Sequence, residues 1–161
     1  MRYLMRQKLL AFGDDYTIKN DAGDDVFYVD GRALSIGDKL SFQSMDGREL
    51  AFIRQRLLAL GKTYDIERAG RTTTVHKEMF TFFSCKFTID VPGPNDLEAK
   101  GDLVDHEYNI QDSGGQVIAQ VSKRWFRFTD TYGVDIAPGQ DDVLILATAV
   151  VIDLCCHPDK K

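Results

Sequence analysis

Residues 3 to about 136 are built from short segments in which apolar and polar positions alternate, broken at intervals by turn residues. "YTIKNDAGDDVFYV" (16–29) reads as strand, Asp-Ala-Gly turn and strand. "LSFQSMDGRELAFI" (40–53) repeats the pattern around Asp46-Gly47, and "YDIERAGRTTTVHK" (64–77) around Ala69-Gly70. "YNIQDSGGQVIAQVSK" (108–123) repeats it around Ser113-Gly114-Gly115. Asx-Gly and Gly-Gly pairs supply the positive φ that tight hairpins need, and alternation with period two gives each strand one apolar face. Little helical periodicity separates these hairpins, so they predict a largely antiparallel β domain, closed as a sandwich or barrel because open edges invite aggregation.

A longer similarity links the hairpins. "FIRQRLLALGKTYDI" (52–66), "TVHKEMFTFFSCKFTI" (74–89) and "QVSKRWFRFTDTYGVDI" (120–136) each run from an aliphatic residue through basic or polar ones and a bulky apolar pair to an aromatic that opens the next strand. The spacings Ile53 to Tyr64, Val75 to Phe87 and Val121 to Tyr132 are eleven, twelve and eleven positions. One supersecondary module used repeatedly accounts for this.

The pattern changes at "DDVLILATAVVIDLCCH" (141–157). Ten residues from Val143 to Ile152 carry no charge, and only Thr148 is polar. A membrane span needs roughly 20 apolar residues, and no Lys/Arg cluster or aromatic belt flanks this run. The run exceeds an ordinary strand of ~5–6 residues. Pro138-Gly139 turns the chain ahead of it. Asp141 and Asp142 sit where a helix N-terminus welcomes negative charge, and Pro158 stops what precedes it. The spacing therefore predicts a helix near 141–156, roughly 24 Å long. A helix apolar on every side must be enclosed on every side, and in a chain of strands the inside of a barrel is the enclosure available. Asp153 is the exception on that helix, a charge near the C-terminus that opposes the dipole. It is expected to reach solvent at the barrel mouth, so that Asp153→Asn leaves stability nearly unchanged.

Composition narrows the class. The chain has 161 residues, 43% hydrophobic and 28% charged, which predicts a single domain over 1–161 with an ordinary core. The net charge of −5 disfavours broad binding to nucleic acid. The N-terminal "MRYLMRQKLL" lacks the apolar stretch and cleavage site of a secretory signal. The three cysteines, Cys85, Cys155 and Cys156, are odd in number with two adjacent, which predicts no disulfide framework and a cytoplasmic setting.

The stretches "RYLMRQKLLAFGDDYTIKNDAG", "FYVDGRALSIGDKLSFQSMDGREL" and "KRWFRFTDTYGVDI" running into "DDVLILATAVVIDLC" are similar to the LURP-one-related (YxjI-like) family within the tubby-like fold. The resemblance implies a mainly β fold, a closed antiparallel barrel of about twelve strands around a central hydrophobic C-terminal α-helix. It implies little chemistry. Tubby-like relatives include phosphoinositide-binding domains and phospholipid scramblases, and shared fold does not carry activity with it.

Candidate chemistry is sparse. "DHEY" (105–108) places Asp105, His106 and Glu107 together, but adjacent strand residues face opposite ways, so this reads as an exposed charged strand. "CCH" (155–157) lacks the spacing of a zinc knuckle and reads as packing at the helix end. There is no phosphate-cradling glycine loop and no nucleophile elbow, and nothing calls for a cofactor or metal. The best binding candidates are basic: Arg54, Arg56, Lys77, Lys123 and Arg124 occupy matching places in the three similar units. Side by side they would hold an anionic headgroup or a phosphorylated partner, with Trp125, Phe126 and Phe128 beside them at an interface. The competing reading is a solvated strand face whose Lys and Arg stems cover apolar side chains, with Trp125 in the core. The leading expectation is a non-enzymatic binding module for a protein partner or small anionic ligand. The alternative is a peripheral module for anionic phospholipid, without a transmembrane segment, and a further alternative is an enzyme.

Overall fold

A computed structural model of the chain describes residues 1–8, 15–31, 36–78, 86–125 and 131–156. Its strands are β1 (Arg2–Lys8), β2 (Asp15–Lys19), β3 (Asp25–Gly31), β4 (Lys39–Ser44), β5 (Glu49–Gln55) and β6 (Thr63–Arg68). There follow β7 (Arg71–Lys77), β8 (Lys86–Asp90), β9 (Leu97–Asp102), β10 (Glu107–Gln111), β11 (Val117–Ser122) and β12 (Thr131–Ile136). Each pairs antiparallel with its chain neighbours, and β12 pairs with β1 to close a twelve-strand barrel. All four hairpins expected from turn chemistry are present, as β2–β3, β4–β5, β6–β7 and β10–β11. At Ala69-Gly70 both residues have positive φ, 51° and 74°, as a two-residue hairpin turn matched to strand twist requires.

The register brings the apolar alternation of each strand into continuous inward layers. Leu40 faces Ile53, Ile53 faces Ile66, Tyr64 faces Val75 and Val75 faces Ile89 across successive ladders. Tyr16 faces Val29, which in turn faces Phe42. Small inward residues interrupt these layers at Ala51, Ala99 and Ala119, all buried. Eight strands suffice for side chains to fill a barrel interior; twelve need something more. The helix α1 (Asp142–Cys156), about 22 Å long and 10–12 Å wide, supplies it. From Val143 to Cys155 every residue of α1 but Leu144 is buried. It packs against β5, β6 and β7 on one wall and β12 on the opposite one.

The N-terminus of α1 is fixed by acids, as its sequence implies. Asp141 accepts from the Leu144 N–H at 3.3 Å, an N-cap, and pairs with Arg68 Nε at 2.9 Å. Asp142 accepts from the Tyr3 hydroxyl at 2.6 Å. Because the strands run alternately up and down, every second connection lies at the same end. The turns 20–24, 45–48, 69–70, 91–96, 112–116 and 137–141 share the end where α1 begins. The connections 56–62 and 103–106, with the described residues 36–38, 78 and 123–125, lie at the end where α1 finishes.

Candidate functional site

The two ends of the barrel differ in chemistry. The tight turns carry Asp21, Asp24, Asp46, Asp96, Asp112 and Asp141, against the single cation Arg48. At the opposite end the described connections carry Arg56, Lys62, Lys123 and Arg124 against Asp38, Glu78 and Asp105, together with exposed aliphatics. Arg56 and Lys62 bracket the β5–β6 connection "RLLALGK", in which Leu57, Leu58 and Leu60 are 57%, 102% and 87% exposed. Ile36, 84% exposed, stands on the neighbouring β3–β4 connection. The two connections are bound together: Gln55 N–H donates to Asp38 O at 2.9 Å, Asp38 N–H donates to Gln55 Oε1 at 3.2 Å, and Leu57 packs on Gly37. Val104, on the β9–β10 turn, is also half exposed. Single exposed aliphatics are ordinary, but three leucines within four positions on one loop are a patch.

All five basic candidates lie at this same end, in two groups. Arg54 is near the end of β5 with Nη2 3.1 Å from Glu67 Oε1, its guanidinium 5.6 Å from the centre of the Phe52 ring. Arg56 Nε donates to Asp65 Oδ2 at 2.7 Å and Nη2 reaches Thr74 Oγ1 at 3.4 Å. Lys77 ends β7, two strands away, its backbone N–H bonded to Lys62 O at 3.0 Å. Lys123 and Arg124 follow β11, which is six strands from β5 on a ring of twelve. The strand order therefore gives Arg54, Arg56 and Lys77 one arc with the leucine loop and places Lys123 and Arg124 across the barrel mouth. Ion pairs this exposed are worth about 0–1 kcal/mol, so their cations remain open to an external anion. Trp125 is half-buried rather than in the core, with the Arg2 guanidinium 4.2 Å from its ring centre. Phe126 and Phe128 lie outside the described residues.

Beneath this end lies a polar cluster where two expectations fail. Asp153 does not reach solvent. It is 4% exposed, accepts a hydrogen bond from the Tyr16 hydroxyl at 2.6 Å, and lies 2.6 Å from His106 Nε2. His106 is not on an exposed strand. It closes the β9–β10 turn with φ of 55°, is 3% exposed, and stacks on Tyr132 at 4.4 Å. A carboxylate on an enclosed helix needs partners close by, because burying it alone costs far more than a fold can supply. Burial pushes the Tyr108 and Tyr132 phenols well above their ordinary range, and the charge of Asp153 pushes them further. Tyr16 lies on β2 and His106 in the β9–β10 turn, so the Asp153 carboxylate ties the last turns of α1 to two points nearly half the barrel's circumference apart, while Tyr108 on β10 and Tyr132 on β12 feel its charge without a hydrogen bond to it. The charge of Asp153, beyond the apolar run of the helix, was the sequence signal for this cluster. The identity of its partner, 47 positions away, was not.

Among the described residues no group of three or more His, Cys, Asp or Glu is placed to hold a metal ion. Cys85 and His157 lie outside them. No described helix is long and apolar enough to cross a membrane. A crevice of about 380 Å³ lies at the tight-turn end beside the start of α1, lined by Val91, Pro92, Leu97, Leu144 and Ile145 with Asn95, Asp112 and Asp141.

Comparisons place this architecture. The family model described as LURP-one-related matches residues 1–153. The uncharacterized protein YxjI of Bacillus subtilis is 34% identical over 156 residues, covering 97% of this chain and 94% of that protein. Protein LURP-one-related 6 of Arabidopsis thaliana is 29% identical over 143 residues, 80% of this chain and 74% of the relative. A solved Arabidopsis thaliana structure superposes with a TM-score of 0.68 at 15% identity, over 94% of this chain and 90% of that one, and shares the fold. The family-model match over residues 1–153, which takes in the barrel and most of its central helix, shows that this chain belongs to the LURP-one-related family.

Proposed function

We propose that the protein is a non-catalytic binding module that docks on anionic phospholipid surfaces through the barrel end where α1 finishes. The observation that carries this reading is the β5–β6 connection, where three solvent-facing leucines stand between Arg56 and Lys62 and beside Arg54 and Lys77. Stable peripheral binding takes two signals, an apolar insertion and a basic surround. Both are supplied here. A leucine buried in the interface contributes about 1.5–3 kcal/mol, and each Lys or Arg near an anionic surface about 1 kcal/mol. The acidic turns at the other end favour the same orientation, because an anionic surface repels them. With α1 filling the barrel, ligand contact belongs on the outside and at the mouths, which agrees with a docking role.

Vesicle co-sedimentation tests the proposal. The protein is expected to pellet with phosphatidylcholine vesicles containing phosphatidylserine, to remain in solution with phosphatidylcholine alone, and to release as salt rises. The Leu58→Glu/Leu60→Glu variant, with unchanged circular dichroism, is expected to lose binding, and Lys123→Glu/Arg124→Glu to weaken it. Binding that ignores lipid charge, or that survives the leucine substitutions, refutes this mode of docking.

A further inference from the structure

Across the barrel mouth from the leucine loop, the chain leaving β11 wraps around a carboxylate. Ser122 Oγ lies 2.9 Å from both Glu107 oxygens. The backbone N–H groups of Lys123 and Arg124 donate to Glu107 Oε1 at 3.0 and 3.1 Å. The Arg124 N–H also reaches Ser122 Oγ at 3.2 Å, and Arg124 Nε stands 3.9 Å from Glu107 Oε1. Glu107 and Ser122 are direct partners in the β10–β11 ladder, so the sheet itself sets this register. A hydroxyl and two successive backbone N–H groups converging on one anionic oxygen, with a Lys and an Arg alongside, form the donor set that proteins offer to phosphate groups. The Glu107 carboxylate stands where a phosphate oxygen would sit.

We propose that Ser122, Lys123 and Arg124 form a receptor for a phosphate group, and that Glu107 is its built-in competitor. The Glu107 side chain is one-quarter exposed, so it has a route outward when displaced. The Arg124 side chain is 85% exposed and is the arm that meets an incoming anion. A phosphate brings up to two charges and three acceptor oxygens against the single charge of the carboxylate, and so competes for the same donors. The receptor rests on the membrane reading only for the source of its phosphate, which there is a lipid headgroup; a free phosphate compound has the same chemistry.

The test separates these sources. Amide shifts of Lys123 and Arg124 are followed by NMR during titration with inorganic phosphate at constant ionic strength, in the wild type and in the Glu107→Gln and Glu107→Ala variants. Asp105→Asn, which removes a charge from the same rim, is the control. Both Glu107 variants are expected to show saturable shifts at these two amides, with at least about fivefold tighter binding than the wild type, while the control matches the wild type. The Gln variant keeps the size of the side chain and reports even where Ala disturbs the fold. Vesicles of phosphatidylcholine with phosphatidic acid, which exposes a phosphate monoester, are then compared for the Glu107→Gln and Asp105→Asn variants. A larger gain for Glu107→Gln supports a headgroup as the source. Saturable phosphate shifts without that gain support the receptor with a soluble phosphate compound as its ligand, whatever the leucine loop does. Absence of saturable shifts at Lys123 and Arg124 in folded Glu107→Gln, or wild-type binding as tight as that of the variants, overturns the proposal.

Discussion

Asp153 offers the sharpest test of how the barrel holds its helix. Its carboxylate is enclosed and engaged by Tyr16 and His106, each at 2.6 Å. Replacing it with Ala removes one partner of a buried pair, a change that typically costs about 3–5 kcal/mol. Asn keeps the shape and can still accept from the Tyr16 hydroxyl. Its amide N–H₂ then meets His106 Nε2, which becomes an acceptor if the ring proton moves to Nδ1. The loss is then the difference between charge-assisted and neutral hydrogen bonds, about 1–2 kcal/mol. With a urea m-value of about 2 kcal/mol/M for a chain of this size, the midpoint falls by roughly 1.5–2.5 M for Ala and 0.5–1 M for Asn. A double-mutant cycle with His106→Asn isolates the pair. Asn is chosen at 106 because it tolerates the left-handed backbone there, where φ is 55°. The coupling is expected at about 1–3 kcal/mol. An Asp153→Asn midpoint within error of the wild type, together with zero coupling, means that the carboxylate is solvated and the reasoning fails.

Two further outcomes follow from burial. Tyr3, Tyr108 and Tyr132 hold their phenols above the ordinary value of 10, through burial first and then through Asp142 for Tyr3 and Asp153 for the other two. A raised folded value means stability that is intact below pH 10 and falls above it, as the unfolded chain alone ionises; phenolate absorbance should therefore rise for these three only together with loss of circular dichroism, and six tyrosines titrating near pH 10 in a still-folded protein contradict this. Truncation to residues 1–140 removes Val143, Ile145, Leu146, Val150, Val151, Ile152 and Leu154 from the core, each contributing about 1.5–3 kcal/mol, which together match or exceed a whole domain's stability of about 5–15 kcal/mol; the fragment should show no cooperative melt, and a cooperative one refutes a helix-filled barrel.

What could be read from the sequence divides by range. The hairpins were legible because their information is local: a period-two apolar face and a turn with the right φ lie within about fifteen residues of each other. The helix was legible because ten uncharged residues between acids leave few alternatives in a chain of strands. The Asp153–His106 contact was not, because it depends on where a turn two-thirds of the way along the chain meets the last turns of the helix. His106 shows why local reasoning misled there. The alternation rule placed it on a strand, but β10 begins one residue later at Glu107, and the left-handed backbone of His106 turns its side chain inward. The leucines of "RLLALGK" were visible in the sequence only as the bulky apolar pair of a repeated unit. Only their exposure distinguishes them.

The polarity of the barrel is a different case, since it is present in the sequence but in no single window. In an up-and-down barrel, alternate connections share an end, so sorting them by parity is enough to separate the Asp-rich turns from the connections that carry Arg56, Lys62, Lys123 and Arg124. That sorting concentrates the turns' excess of acid at one mouth, while at the other the described connections carry Arg56, Lys62, Lys123 and Arg124 against Asp38, Glu78 and Asp105. It also explains why the basic candidates fall in similar units yet do not form one patch. The units recur at every second connection, which brings their cations to the same end, but the strand order sets Lys123 and Arg124 six strands from Arg54. A ligand engaged by both groups must span the mouth, as an extended surface does. A single small anion can meet only one group, and among these the Ser122–Lys123–Arg124 turn is the one whose backbone donors already enclose an anionic oxygen.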